Sequence, residues 1–263
     1  MPGYRVLVTI LVLTWGVTLA HAGPLTQGGS AKVVAVVDGD TVLLDVAIDG
    51  SKEVRLVGIQ APKLPLGRKN FKKWPLADEA RKKLETLVLG RTVDLKFGGR
   101  RMDRHGRLLA HLFNEQGNWI QGDMLSSGLA RVYSFPDNRA IVPDMLDREK
   151  QARSQNRGIW GEAYYGIRQV DNLDNVIGTF QLIEGVVVEA ATVRGMTYLN
   201  FAEDWRSDFT ISLNKNTLAL FIQAGLDPVS LKGRAVRVRG WLKKRNGPVI
   251  VVTHPEQLEV LAR

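Results

Sequence analysis

The chain contains no cysteine, which excludes disulfides, thiol nucleophiles and thiolate metal sites together. Histidine is scarce and scattered (His21, His105, His111, His254), so a histidine zinc centre would need residues distant in sequence to meet by folding. Long apolar runs are also missing after the N-terminus. The run over residues 6–19 is about fourteen residues long, short of the roughly 20 that span a bilayer. It follows Arg5 and precedes Ala20-His21-Ala22, the small-x-small form of a cleavage site. Residues 1–22 are therefore expected to be a signal peptide, and the protein to be secreted or periplasmic with no stable membrane insertion once the signal is removed. Acid is in short supply too. Lys and Arg number 36 against 27 Asp and Glu, a net charge of +9 that suits an anionic partner or serves solubility alone.

What is present is a series of short β-branched runs with turn signals between them. Residues 32–37, 41–48 and 52–59 read as strands joined at Asp38-Gly39-Asp40 and Asp49-Gly50, a three-stranded meander. Gly39 is expected to supply a backbone conformation that other residues resist, so that two carboxylates flank one bend. Ala61-Pro62 stops the third run, leaving Lys63 at a corner. Residues 62–75 form a loop with Lys63, Arg68, Lys69, Lys72 and Lys73, no acid, and Phe71 and Trp74 between them. That composition fits either a solvated loop or a basic flap over a nucleic-acid groove. Helical spacing follows over residues 76–89, with Gly90 as a stop, then strands over 91–97 and 107–114 and helices over 119–127 and 145–153.

Five motifs stand in this order: Val37-Asp-Gly-Asp-Thr41, Arg55-Leu-Val-Gly-Ile-Gln-Ala-Pro62, Asp103-Arg-His-Gly-Arg107, Gly128-Leu-Ala-Arg131 and Gly158-Ile-Trp160. Together they resemble the staphylococcal nuclease (thermonuclease) family over about residues 31–166. The resemblance implies an α+β fold, a five-stranded OB-type barrel with packed helices, and a calcium-assisted phosphodiesterase site at its mouth. It places Asp38 and Asp40 at metal-associated carboxylates, Arg55 and Arg107 at the phosphate-gripping arginines, and Tyr133 near nucleotide-contacting tyrosines. Arg104, Lys69 and Lys72 join these as expected nucleic-acid contacts. The chain departs from the family at two positions: Gln60 stands where a metal-ligating Asp is implied, and Lys63 where the proposed general base, a Glu, is implied.

Those departures reverse the sign of the site. Four carboxylates and two arginines leave two negative charges for a dication; here Asp38 and Asp40 face Arg55, Lys63 and Arg107, a surplus of one positive charge. Calcium seeks about six to eight oxygens, several charged, so its affinity is expected to be weak and phosphate attraction without it stronger. Lys63 as a cation has no lone pair with which to take a proton. Catalytic positions thus fall on Arg55, Arg107 and Lys63, with hydrolysis and metal-free polyanion binding both open.

Residues 167–179 are polar and expected to be a linker. After them come strand runs over 180–190, 197–201, 209–213, 235–242 and 249–253, a helix over 217–223 and turns at Arg194-Gly195 and Asn246-Gly247. This pattern is expected to give a second small OB-like barrel over 180–263. Arg237 and Arg239 alternate with Val236 and Val238 on one strand, and are expected either to contact nucleic acid or to protect an edge. Phe201 and Trp241 are expected in its core.

Overall fold

The structure is a computed structural model that describes residues 24–204 and 208–262; the expected signal peptide lies outside the described residues. Strands β1 (Thr26–Asp38), β2 (Thr41–Ile48) and β3 (Ser51–Leu56) form the expected antiparallel meander. A short β4 (Ile59–Gln60) leads through the basic loop to α1 (Ala77–Val88), then β5 (Thr92–Phe97) and β6 (Leu108–Asn114). β6 runs parallel to β3 and antiparallel to β5, which returns to β1, so a barrel closes in the order β1-β2-β3-β6-β5. Alternating Val33, Val42, Val54, Leu56, Leu95, Leu108 and Leu112 fill it. The Asp49-Gly50 turn has φ of 48° and 82°, the left-handed pair that matches strand twist. Gly39 does not: no positive φ is found there. Its need is space, since a Cβ would lie 2.7 Å from the Ala61 Cβ and 2.8 Å from the Ala80 Cβ.

Three helices cover the barrel. α1 buries Ala80, Leu84 and Val88 on one stripe. α2 (Ile120–Ser126) is followed by β7 (Arg131–Val132), which pairs with β4, and α3 (Val142–Ser154) packs on α2. Gly128 and Gly158, from two of the five motifs, meet here. Both have positive φ (68° and 54°), and a Cβ on either would fall about 2 Å from the other segment's carbonyl oxygen. The Gly128 carbonyl accepts the Ile159 N–H at 2.8 Å, fixing the chain's exit from α3.

The C-terminal part departs from expectation. Within residues 167–179, β8 (Arg168–Gln169) pairs with β9 (Phe180–Val186), and Leu173 is buried. β10 (Glu189–Val193), β11 (Met196–Asn200), β12 (Thr210–Asn214), α4 (Lys215–Gln223), β13 (Ala235–Arg245), β14 (Gly247–Val251) and β15 (Leu258–Val260) follow. The sheet runs β10-β11-β12-β14-β13-β9-β8 and is open, so the expected second closed barrel is not formed. The reason is local. The run expected as one strand over 180–190 is broken at Val187-Val188, where the Val187 N–H turns to the Arg234 carbonyl and the Val188 N–H to the Asn200 carbonyl. The two halves, β9 and β10, thereby serve opposite ends of one sheet. Phe201 lies in the core as expected, whereas Trp241 is 45% exposed.

The two parts share a core. Ala152, Ile159, Trp160 and Tyr165 pack with Phe180 and Leu182, and Trp74 and Tyr133 lean on the same cluster. Beside it the Ser134 hydroxyl lies 2.7 Å from His254 Nε2, and Arg139 forks onto Glu256 at 2.8–3.1 Å.

Candidate functional site

The tight β1–β2 turn presents both carboxylates at the barrel mouth. Asp38 Oδ1 accepts the Asp40 N–H at 3.0 Å, and Asp40 Oδ2 accepts the Ala61 N–H at 2.8 Å, so the turn is tied to the strand end that Pro62 terminates. Asp40 is fully buried and Asp38 nearly so. Lys63, at the corner after Pro62, turns back into this pair. Its Nζ lies 2.6 and 2.7 Å from the Asp40 oxygens and 3.1 Å from Asp38 Oδ2. Buried carboxylates require compensation. Here an ammonium of the same chain supplies it.

Arg55 completes the cluster from β3. Its guanidinium is 3.1 Å from Asp40 Oδ2 and donates to the carbonyls of Asp40 (3.1 Å), Leu56 (2.9 Å) and Ile59 (2.6 Å). Most of its donors are thus committed to holding the mouth together, while Arg55, expected as a phosphate-gripping arginine, also lines the adjoining cleft. Burial would raise the Asp40 carboxyl, but Arg55 and Lys63 outweigh it and hold Asp40 well below the usual carboxylate range. Burial and the neighbouring Asp40 charge push the Asp38 carboxyl up. One carboxylate is firmly charged, and the second is held beside it at a cost.

Gln60 faces away from the carboxylates. Its Oε1 accepts two hydrogen bonds from Arg131, at 3.0 and 2.7 Å. Arg131 is itself buried, with its guanidinium 4.7 Å from the Phe180 ring centroid; burial lowers it to about 10, still charged at neutral pH. The donor set therefore does not suit calcium. Two carboxylates are held by an ammonium, the amide oxygen is turned to an arginine, and no cluster of three His, Cys, Asp or Glu residues occurs among the described residues. Asp38 and Asp40, expected at metal-associated positions, are both bonded to Lys63.

Outside this neutralised cluster a cleft of about 410 Å³ opens beside β3 and the Asp103–Arg107 turn. Arg100, Arg104, Arg107 and His105 line one side, and Tyr133 and Phe135 another. Asp103 shapes the turn: its carboxylate accepts the N–H groups of His105 (2.8 Å) and Arg107 (3.0 Å) and the Arg107 Nε (2.8 Å). These bonds outweigh burial and lower its pKa. Arg107 is held but remains partly open to the cleft, 28% exposed; Arg104 is exposed and meets no carboxylate among the described residues. Phe135 is 46% exposed and meets Tyr133 edge-on at 4.9 Å. The Tyr133 hydroxyl accepts the Trp241 indole N–H at 2.8 Å, so the second sheet fixes a ring of the first unit's cleft. The sequence singled out Arg104, Arg107 and Tyr133; Arg100, His105 and Phe135 were missed, although the first two lie in the charged turn.

The expectation for Arg237 and Arg239 is corrected. Arg239 is 1% exposed and bonds both Glu149 oxygens (2.9 and 3.0 Å) and Glu259 (2.6 Å). Arg237 is shared between Glu184 and Glu259. Glu149, fully buried on α3, also takes Arg153 (2.8 Å) and the Val132 N–H (2.6 Å). Arg239 joins the two units, Arg237 is paired within the second sheet, and both are engaged by carboxylates. Lys69 and Lys72 stay exposed on the basic loop.

A family described as staphylococcal nuclease homologue matches residues 53–162. A protein of Escherichia coli O157:H7 named as an uncharacterized endonuclease is 31% identical over 134 residues, half of this chain and 77% of that protein. Endonuclease YncB of Bacillus subtilis is 32% identical over 132 residues, 49% of this chain and 60% of the relative. The thermonuclease of Staphylococcus hyicus is 26% identical over 155 residues, 54% of this chain and 86% of the relative.

Proposed function

Since the chain belongs to the staphylococcal nuclease family, we propose that its barrel mouth and adjoining cleft bind the phosphodiester backbone of nucleic acid without a metal ion. One observation carries this: the Lys63 ammonium is bonded to three carboxylate oxygens of Asp38 and Asp40 at 2.6–3.1 Å. The positive charge that the family's pattern takes from calcium comes here from the chain itself. Arg104 and Arg107 supply phosphate donors, and Tyr133 and Phe135 supply ring faces against a sugar or base. Hydrolysis needs a group to take a proton from the attacking water. At this mouth Asp40 is saturated by Lys63, Arg55 and the Ala61 N–H, and Lys63 has no lone pair to offer. The protein is thus a nucleic-acid binder built on a nuclease barrel, exported to the periplasm or medium by residues 1–22; N-terminal sequencing of the secreted protein would test the export.

The relatives named as endonucleases support a second reading, calcium-dependent cleavage with Lys63 displaced from the carboxylates. Oligonucleotide binding and digestion, each measured in EDTA and in calcium, separate the two. Binding that survives EDTA, falls with salt, and weakens about tenfold in Arg107→Ala is expected. Calcium-dependent cleavage by the unaltered protein would replace this reading with the second.

A further inference from the structure

The basic loop between β4 and α1 folds into a surface that the cleft does not use. Of its five cations, three are committed. Lys63 holds the mouth, Lys73 pairs with Asp78 at 2.5 Å, and Arg68 donates to the carbonyls of Leu64 and Pro65 while lying 3.6 Å from the Phe71 ring centroid. Lys69 and Lys72 are exposed and make no ion pair or hydrogen bond among the described residues. Between and beside them stands a row of rings. Phe71 and Trp74 are nearly parallel, 24° apart with centroids 6.3 Å apart, and Trp74 meets Tyr164 at 5.8 Å. Tyr164 is 47% exposed, and Phe71 and Trp74 are half-buried.

Two bonds hold the backbone around the row, one at its middle ring and one from the residue after Tyr164. The Trp74 N–H donates to the Lys63 carbonyl at 3.0 Å, and the Tyr165 hydroxyl donates to the Pro75 carbonyl at 2.8 Å. A row of partly open rings, with Arg68 over one face of Phe71, beside two lysines unpaired among the described residues matches a chain whose phosphates and base faces are both accessible. A duplex offers only its phosphates to such a surface, because its base faces are stacked on one another.

We propose that Phe71, Trp74 and Tyr164, with Lys69 and Lys72, form a second contact surface that takes single-stranded nucleic acid by base stacking. The proposal rests on the nucleic-acid reading of the cleft for its ligand class and adds the strand preference.

Fluorescence anisotropy of the full chain in EDTA, with labelled oligo-dT and a blunt duplex of equal length, tests it. The unaltered protein is expected to bind the single strand more tightly. Tyr164→Ala and Phe71→Ala should each weaken oligo-dT binding by about fivefold to a hundredfold while changing duplex binding less than twofold. Tyr164→Phe should restore binding, because it keeps the ring face. Lys69→Glu with Lys72→Glu should weaken the single strand and flatten its salt dependence. Ring variants that leave oligo-dT binding unchanged while Arg107→Ala weakens both ligands would overturn this surface and spare the cleft. Ring variants that weaken oligo-dT while Arg107→Ala changes neither ligand would support this surface and overturn the cleft. Absence of binding to either ligand would overturn both.

Discussion

Arg107, beside the closed barrel, and Arg239, on β13 of the open sheet, are both held by carboxylates, yet they end in opposite conditions. Arg107 is steadied by Asp103 four residues away and keeps part of its guanidinium open to a cleft. Arg239 finds Glu149 on α3 and Glu259 on β15 and is lost to solvent. The difference lies in what each strand packs against. A partner within one turn fixes an arginine without covering it, whereas a partner from another unit covers it completely. The same contrast separates the sheets. The barrel closes its own ladder, while the open sheet breaks its leading strand at Val187-Val188 and turns Phe180 and Leu182 of β9 and Arg239 of β13 toward the neighbouring unit.

Removing a carboxylate from the joint should have the largest effect. Glu149→Gln leaves Arg239 and Arg153 short of charge in a buried site, at a cost of about 3–5 kcal/mol in urea unfolding. A loss below about 1 kcal/mol would mean the joint contributes nothing, and the contrast with Arg107 would dissolve.

Acid should act on the same joint. Burial lowers His254 to about 4 from 6.5, and His111 to about 3. The unfolded chain therefore binds more protons below pH 6.5, so stability falls as pH drops from there and levels off once the folded pKa is passed. The contribution of His254 is about 3 kcal/mol across that window. The groups facing it are Glu256, Arg139 and Arg239. Unfolding midpoints from pH 7 to 4 check this: His254→Gln should flatten the fall and leave the share of His111.

The mouth should respond less. Lys63→Met removes three bonds from buried carboxylates, but Lys63 itself is partly exposed and Arg55 still pairs Asp40, so the expected cost is about 2 kcal/mol in EDTA. Added calcium should then raise the melting temperature of this variant and leave the parent unmoved. A parent that calcium stabilises equally would erase the distinction between an internal and an external cation.

The legibility of these features in the sequence tracks their range. Alternation and Asp-Gly or Asn-Gly turns located most of the longer strands, because those signals are local, but 52–59 and 180–190 each prove to be two strands and the short β7, β8 and β15 were not foreseen. The charge change at Lys63 was visible in the sequence, but its bonds to Asp38 and Asp40, 25 and 23 residues away, were not. The bond from Gln60 to Arg131 spans 71 residues, and that from Arg239 to Glu149 spans 90. Alternation tells which face a side chain occupies, not what lies opposite, so Arg239 could be placed on a strand face without revealing that the face is closed. The interruption at Val187-Val188 left no signal, since both residues suit a continuous strand.

The Glu149 cluster also bears on where the chain can be cut. A fragment ending near residue 166 would lose one of the two guanidinium counterweights of Glu149, and the severed remainder would carry Arg239 with only Glu259. Scission at that seam is therefore expected to leave a less stable barrel piece, read as an earlier urea midpoint than that of the intact protein.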